Sequence, residues 1–502
     1  MAPLDAAALA GSPEGMAALR RLVDEVLRAA QAGARRRGGP VAVGGPAAVA
    51  ERNSDLLAGV LPLEGLSDAE ALVPLAEAFA WGSVDLASPS TAAFLQCPPL
   101  TVAAAADLVV STFNQSVDVW DSGPFPIELE KAVFEQLRVL TGLPEGTTGV
   151  MTPGGSIANL LAVIIARDVR GSALCGVGLT EEGLQAAPRR LRVVCSREAH
   201  VSVDRAIAAA GLGNAAAVVV ETGADGRMTA GAVHAALTAL PADHVPFALL
   251  ATAGTTDLGA IDDLPALAEL AHAHGMWFHV DAAYGAGMLF SPRMRPLFAG
   301  IERADSITLD LHKFAWQPAS SSVLMVRDGR HFRPLQREAA YLNPRDDEQA
   351  GLPNQLGHTL ETTRRADVLK VAASFRYLGR RGMAELIDHC HTMARHAERL
   401  VAGHPRLRAA APVVLTRLVF RYLPRRPELT DQVNAGLRRR LLTRGSAVIG
   451  RTTRVVEGVG RTHLKLTVIN PRTTAQDIEN LIAGIVAAGE AEERAIREQG
   501  RR

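Results

Sequence analysis

The sequence predicts an α/β fold: a mainly parallel sheet covered by helices on both faces, with a smaller C-terminal α+β domain after it. Three observations predict it. Between about residues 148 and 330, short β-rich runs alternate with helical patterns, the order typical of parallel sheets. Polar residues collect where those runs end, and such sheets bind ligands at the carboxyl ends of their strands. The length, 502 residues, gives two or three domains at roughly 100–200 residues each, enough for a large buried core.

The elements follow in order. Residues 12–34, SPEGMAALRRLVDEVLRAAQAGA, form an amphipathic helical pattern opened by a Ser-Pro signal. RRRGGPVAVGGPAAVA, rich in Gly and Pro, reads as an irregular connector. Residues 101–140 read as helical with an interruption at DSGPFP. The predicted strands are LRVVCS, AAAVVVE, FALLATAG, MWFHVDAA, SITLDL and SSVLMVR. Helical patterns between them include SIANLLAVIIARDV, VSVDRAIAAAGL and LPALAELAHAHG. GSALCGVGLTEEGLQAAPRR reads as a surface excursion, and its GVG lacks the spacing of a dinucleotide fingerprint. The last region carries two further strands, VVLTRLVFRY and HLKLTVIN, and a charged tail, AEERAIREQGRR, expected to fray. The expected domain limits are 1–100 for an N-terminal helical segment, 101–362 for the large domain and 363–502 for the small one.

Composition narrows the function. The 53 basic and 53 acidic residues balance, which argues against a nucleic-acid binder. The RRR runs at 35–37 and 438–440 read as solvated helix ends. Four cysteines without CxxC spacing fit a reducing, cytoplasmic compartment. The N-terminus shows no signal-peptide pattern, and the apolar stretches fall far short of the ~20 residues a membrane span needs. Histidine pairs such as HAHG and HCH stand at i and i+2, which do not share a helix face, so no metal site is expected.

The chemistry starts from a scarce residue. The chain holds four lysines (Lys131, Lys313, Lys370 and Lys465) against 49 arginines. Lys313 sits in SITLDLHKFAW, just past a predicted strand end. An amine can form a Schiff base with an aldehyde, which a guanidinium, always protonated, cannot. TPGGSIANL puts Gly155 and Ser156 at a helix start, where backbone N–H groups and the helix dipole suit a phosphate. FHVDAAYGAG ends a strand at Asp281, a carboxylate able to keep a pyridine nitrogen protonated. Ala283 shares the strand face of Asp281 and is placed to pack on a ring. His200, in SREAHVSVDRA, closes another strand–helix turn and is placed to stack on the opposite ring face. Together these residues describe a site for pyridoxal 5'-phosphate.

The sequence also resembles the group II pyridoxal-phosphate amino acid decarboxylases, on the fold shared with aspartate aminotransferase. It is most similar to the branch acting on L-2,4-diaminobutyrate, ornithine and lysine. The similar stretches, in family order over roughly 85–480, include LQCPPLTVAAAADLVVSTFNQSVDVWDSGP, TPGGSIANL, TAGTTDLGAIDDL, HVDAAYGAG, GIERADSITLDLHKFAWQPASSS, YLNPRDD, TLETTRRADVLK and LKLTVINPRTT. The resemblance implies a fold type I enzyme that decarboxylates an amino acid to its amine. It makes Lys313 the Schiff-base lysine, Asp281 the pyridinium partner and His200 the stacking histidine. Gly155, Ser156 and His312 become phosphate contacts, and Thr256 a ring-side contact. Thr363 would reach the phosphate from the other subunit of a homodimer with shared active sites, around which residues 1–100 would wrap. Gln115 lines the substrate cleft, Lys465 holds the substrate carboxylate, and Tyr341 is the loop tyrosine that returns a proton.

The sequence departs from that pattern at SPSTAAFLQCPP, where Ser88 and Phe94 stand in place of two histidines near the substrate entrance. A different amino acid, acidic, aliphatic or unusual, is the alternative substrate this opens. Two rival functions keep the fold: decarboxylation-coupled oxidative deamination to an aldehyde, and a non-catalytic scaffold. Asp310, two residues before His312, is a carboxylate beside the expected phosphate and receives no role there.

Overall fold

The structure, a computed structural model, describes residues 6–337, 339 and 341–499. It holds two compact units, Gln96–His389 and Met1–Leu95 with Cys390–Arg502. Among the described residues the strands are β1 (Thr91–Ala92), β2 (Thr148–Thr152), β3 (Arg190–Ser196), β4 (Ala217–Val220), β5 (His244–Thr252), β6 (Trp277–Asp281), β7 (Ser306–Asp310), β8 (Ser322–Val326), β9 (Leu407–Ala409), β10 (Arg417–Tyr422), β11 (Val448–Val456) and β12 (Val459–Thr467).

In the unit Gln96–His389, seven strands form one sheet in the order β2-β8-β7-β6-β5-β3-β4. All run parallel except β8, which is antiparallel to both β2 and β7. β6, β7 and β8 are buried at every residue, as expected where helices cover both sheet faces. The six strand runs expected from the sequence are β3 to β8. The helix Gly155–Ala166 packs against the sheet together with Ser202–Ala209, through Leu161, Ile165, Val203 and Ile207. Burying each such side chain contributes about 1.5–3 kcal/mol.

In the other unit, β1-β11-β12-β10-β9 make a five-stranded sheet. The helices Thr430–Thr443 and Ala475–Gln499 pack on it through Leu437, Ile482 and Ile485 against Phe420 and Leu464. The helix Pro13–Arg37 starts at Ser12, whose hydroxyl accepts from the Gly15 N–H. It pairs with Asp68–Gly82, which opens on a Ser67–Glu70 capping box. A Cβ on Gly33 would fall 2.2 Å from the Glu77 carbonyl oxygen, so this crossing requires glycine.

Several boundaries differ from expectation. Residues 1–95 fold with the C-terminal segment because β1 pairs in parallel with β11, a contact between distant parts of the chain. Residues 363–389 stay with the large unit, where Val368, Val371 and Met383 are buried. The Gly/Pro connector contains a short helix, Gly45–Arg52. The charged tail is helical through Gln499 rather than frayed, and its last three residues lie outside the described ones.

Candidate active site

β7 ends at Asp310 and passes directly into the turn Leu311–Phe314, which carries His312 and Lys313. β6 ends in Asp281, with Thr252 of β5 opposite it on one side and Thr308 of β7 on the other. β2 ends at Thr152, and the turn through Gly154 leads into the helix Gly155–Ala166. β3 ends at Ser196, and His200 lies in the turn before Ser202. Thr256 lies in the turn after β5. The parallel strands thus deliver their polar residues to one edge of the sheet.

The Gly-rich turn closes tightly on the neighbouring strand ends. Gly154 has φ 130°, a conformation that favours glycine. A Cβ on Gly155 would lie 2.7 Å from Asp310 Oδ1 and 3.2 Å from the Ala283 methyl. Gly155 therefore brings the helix start, the end of β6 and the end of β7 into contact. Ser156, the second helical residue, is exposed. N–H groups in a helix's first turn have no intrahelical acceptor, and the helix dipole favours an anion there.

Asp310 is tied in place by neighbouring groups. Its Oδ2 lies 2.7 Å from Lys313 Nζ and 3.7 Å from His312 Nε2, and its Oδ1 accepts from the Ser322 hydroxyl at 2.6 Å. The carboxylate thus meets a cation, which answers the objection to a negative charge at this position. His312 is steadied at Nδ1, 2.9 Å from the Ser321 carbonyl oxygen.

Asp281 is 5% exposed. Its Oδ1 accepts from the Ala283 N–H at 3.0 Å, and its Oδ2 accepts from Asn159 Nδ2 at 2.8 Å. His200 is exposed as a whole residue, yet its Nδ1 edge rests on Ser202. The Ser202 hydroxyl is 2.8 Å away, and the Ser202 N–H donates at 3.2 Å. Burial lowers the His200 pKa; Asp281 opposes that shift, Lys313 adds to it and Asp310 opposes it. The Ser202 hydroxyl also accepts from Asn159 Nδ2 at 3.0 Å, which links His200 to Asp281. Burial pushes His279, two residues before Asp281 on β6, down to about 4. Asn159, Ser202 and Asp310 are site residues that sequence reasoning left without a role. The signal for Asn159 was a lone amide inside the apolar helix GSIANLLAVIIA.

Of the other expected residues, Thr363 lines a cavity with Thr152 and Pro153, at the end of β2. Gln115 and Thr363 are exposed, on loops joined by a Ser116–Arg365 bridge and by the Val117 N–H donating to the Arg364 carbonyl at 2.8 Å. Tyr341 is 86% exposed and lines a cavity with Ile164, Arg167 and Asp168. Those three residues lie at the far end of the helix from Gly155, about 15–20 Å along it at 1.5 Å per residue. Lys465 belongs to the other unit, on β12 between Val419 and Gly450.

The Pyridoxal-dependent decarboxylase conserved domain matches residues 76–423. The chain belongs to this family. This decarboxylase is similar to the L-2,4-diaminobutyrate decarboxylase of Rhizobium meliloti (strain 1021), at 38% identity over 85% of the chain and 83% of that protein. It is also similar to the L-2,4-diaminobutyrate decarboxylase of Acinetobacter baumannii, at 32% identity over 85% of each. Among solved structures, it resembles the glutamate decarboxylase domain of diaminobutyrate-pyruvate transaminase and L-2,4-diaminobutyrate decarboxylase from Vibrio parahaemolyticus. That match has a TM-score of 0.85 and 29% identity, over 96% of this chain and 97% of that one. The fold is fold type I, and the enzyme is a carboxy-lyase that uses pyridoxal phosphate. The residues present fit that cofactor: a strand-end amine, a buried carboxylate, and a helix start with a glycine where a Cβ would collide. Among the described residues, no helix is long and apolar enough to cross a membrane.

Proposed function

We propose that this decarboxylase acts on a diamino acid of the 2,4-diaminobutyrate, ornithine or lysine type, releasing CO2 and the amine, in secondary or siderophore-like metabolism. The observation that carries the proposal is the likeness, over 85% of the chain, to two enzymes named for L-2,4-diaminobutyrate.

Pyridoxal phosphate, when bound, supplies the electron sink that lets the bond from Cα to the substrate carboxylate break. Lys313 offers the amine that holds the cofactor's aldehyde. Gly155 and Ser156 present N–H groups to its phosphate, joined by His312. Asp281 keeps a proton on the ring nitrogen, and Ala283, His200 and Thr256 position the ring. Gln115 and Lys465 are assigned to the substrate, and Tyr341 to returning a proton to Cα.

A homodimer with shared active sites belongs to the same proposal. It is supported by the exposure of Gln115, Thr363 and Tyr341. An apolar cleft beside Gln115, lined by Val109, Phe113, Phe125 and Leu369, supports it too. A cytoplasmic location rests on four cysteines with no disulfide between them.

Protein supplied with cofactor is expected to sediment as a dimer and to release CO2 fastest from 2,4-diaminobutyrate, ornithine or lysine. The comparison panel is aspartate, glutamate, valine and the aromatic amino acids. Fastest turnover of an acidic, aliphatic or aromatic substrate sinks the diamino assignment. Aldehyde and ammonia in place of amine would reassign the reaction.

A further inference from the structure

Asn159 stands inside an otherwise apolar helix and is 1% exposed. A buried amide is costly unless its groups are paired, and this one is paired at every position. Its Nδ2 donates to Asp281 Oδ2 at 2.8 Å and to the Ser202 hydroxyl at 3.0 Å. Its Oδ1 accepts from the Thr308 hydroxyl at 2.8 Å and lies 3.1 Å from His279 Nε2. An asparagine side chain offers two donors and two lone pairs, and all four are used.

The donors run in one direction. Trp277 Nε1 donates to the Ser306 hydroxyl at 2.8 Å, and that hydroxyl lies 2.8 Å from His279 Nδ1. Asn159 Oδ1 can only accept, so a neutral His279 carries its proton on Nε2, facing that oxygen, and its Nδ1 accepts from the Ser306 hydroxyl. The amide group of Asn159 passes the direction on to Asp281 and Ser202. The Ser202 hydroxyl, engaged by Asn159 as acceptor, has its own proton left for His200 Nδ1. The Ser202 backbone N–H, which can act only as a donor, points at the same nitrogen. His200 Nδ1 is therefore the lone-pair nitrogen, and the ring's proton sits on Nε2.

We propose that Asn159 is a positioning residue that orients the Asp281 carboxylate and, through Ser202, the His200 ring, so that both cofactor-facing groups are set by one buried amide. The proposal rests on the cofactor occupying the site described above. No contact of Asn159 with substrate is implied; it acts through Asp281 and His200.

The test uses two variants of the full-length protein, Asn159→Asp and Asn159→Leu. Asp has the size and shape of Asn but faces Asp281 with an acceptor where a donor stood. Leu has similar bulk and removes every hydrogen bond without adding a charge. Dissociation constants for pyridoxal phosphate are measured by titrating cofactor-free protein, and melting of the cofactor-free proteins is followed alongside. Losing a hydrogen bond to a charged group costs about 1.5–3 kcal/mol, a factor of about 10–100. N159L is expected to bind about tenfold more weakly than wild type and N159D about 100-fold more weakly, although N159D melts closer to wild type. A merely structural asparagine gives the reverse order, with isosteric N159D the milder variant for cofactor as for melting, and that result overturns the proposal. So does N159D binding within about threefold of wild type. If N159L does not fold, N159D against wild type decides alone by the same threshold. A wild type that binds no cofactor overturns the site assignment itself, and the proposal with it.

Discussion

Lys313 stands just past a strand end beside a carboxylate that holds it, Asp310 at 2.7 Å. The other three amines serve differently: Lys131 bridges Glu128 on an exposed helix face, Lys370 is buried against Asp367 and Asp107, and Lys465 is on β12. Imine chemistry needs an amine that can shed its proton, and only a lysine side chain supplies one. Lys313→Ala is expected to abolish the visible absorption of the cofactor-loaded protein and reduce turnover below detection. Borohydride treatment followed by mass spectrometry checks it, since wild type should gain the reduced cofactor at Lys313 and the variant should gain nothing. Labelling at Lys131 or Lys370 in wild type would move the site. Lys313, Asp281, Gly155 and His200 were legible in the sequence because each stands in a short motif at a strand end. Asn159 was not. Its role depends on which helix face meets β6 and β7, information that apolar periodicity does not contain.

At the scale of elements, β3 to β8 of the large unit were readable because they are apolar runs bounded by turn residues, whereas the short β2, TGVMT, was not among the expected strands. β11 was missed for the opposite reason. Its sequence, VIGRTTRVV, is half exposed, and the polar run Arg451–Arg454 in its middle resembles a loop. The two-residue β1 was missed because its partner lies more than 350 residues away, at Val448 and Ile449. The element that most constrains the site is the Gly154–Gly155 turn. Gly155 is not forced by its own backbone angle; it is forced by Asp310 and Ala283, which leave no room for a methyl group. Gly155→Ala must push the helix start away from β7 or displace Asp310 from Lys313. Overpacking of this kind costs about 1–3 kcal/mol. Cofactor affinity is expected to fall about tenfold while the far-ultraviolet circular dichroism stays unchanged. An alanine variant that titrates with cofactor like wild type would show that the turn has slack the structure does not display.

At the scale of the whole molecule, the two compact units need not share one unfolding transition, and a single stability for the chain is then not defined. The strongly shifted groups of the large unit give it a pH signature of its own. Burial lowers His279 and His358 to about 4 from an ordinary 6.5. Between pH 6.5 and 4 the unfolded chain takes up protons at these positions that the folded unit refuses, so stability falls as pH falls. His200 and His331, lowered by burial as well, act in the same direction. Asp262 acts against them. Burial raises it to about 7 from 3.8 although the Thr252 and Met228 N–H groups donate to it. The folded unit therefore holds that proton between pH 3.8 and 7, and stability is lost as pH rises; Glu130, raised by burial, sides with Asp262. Two histidines brought from 6.5 to about 4 outweigh one acid brought from 3.8 to about 7, at about 1.4 kcal/mol per factor of ten in proton affinity. The large unit's melting temperature should thus drop as the pH is lowered from 6.5 to 4. His358 packs on Phe332 with its Nδ1 2.6 Å from Gln355 Oε1, outside the cofactor site, so it can be replaced without disturbing Lys313 or Asp281. His358→Gln removes one of the two largest proton debts, worth about 3 kcal/mol at full effect, and calorimetry across this range should show a shallower acid slope in the variant. A slope equal to that of wild type would mean that the His358 ring is protonated in the folded unit with little penalty, and that acid sensitivity arises at His279 and the active-site face instead.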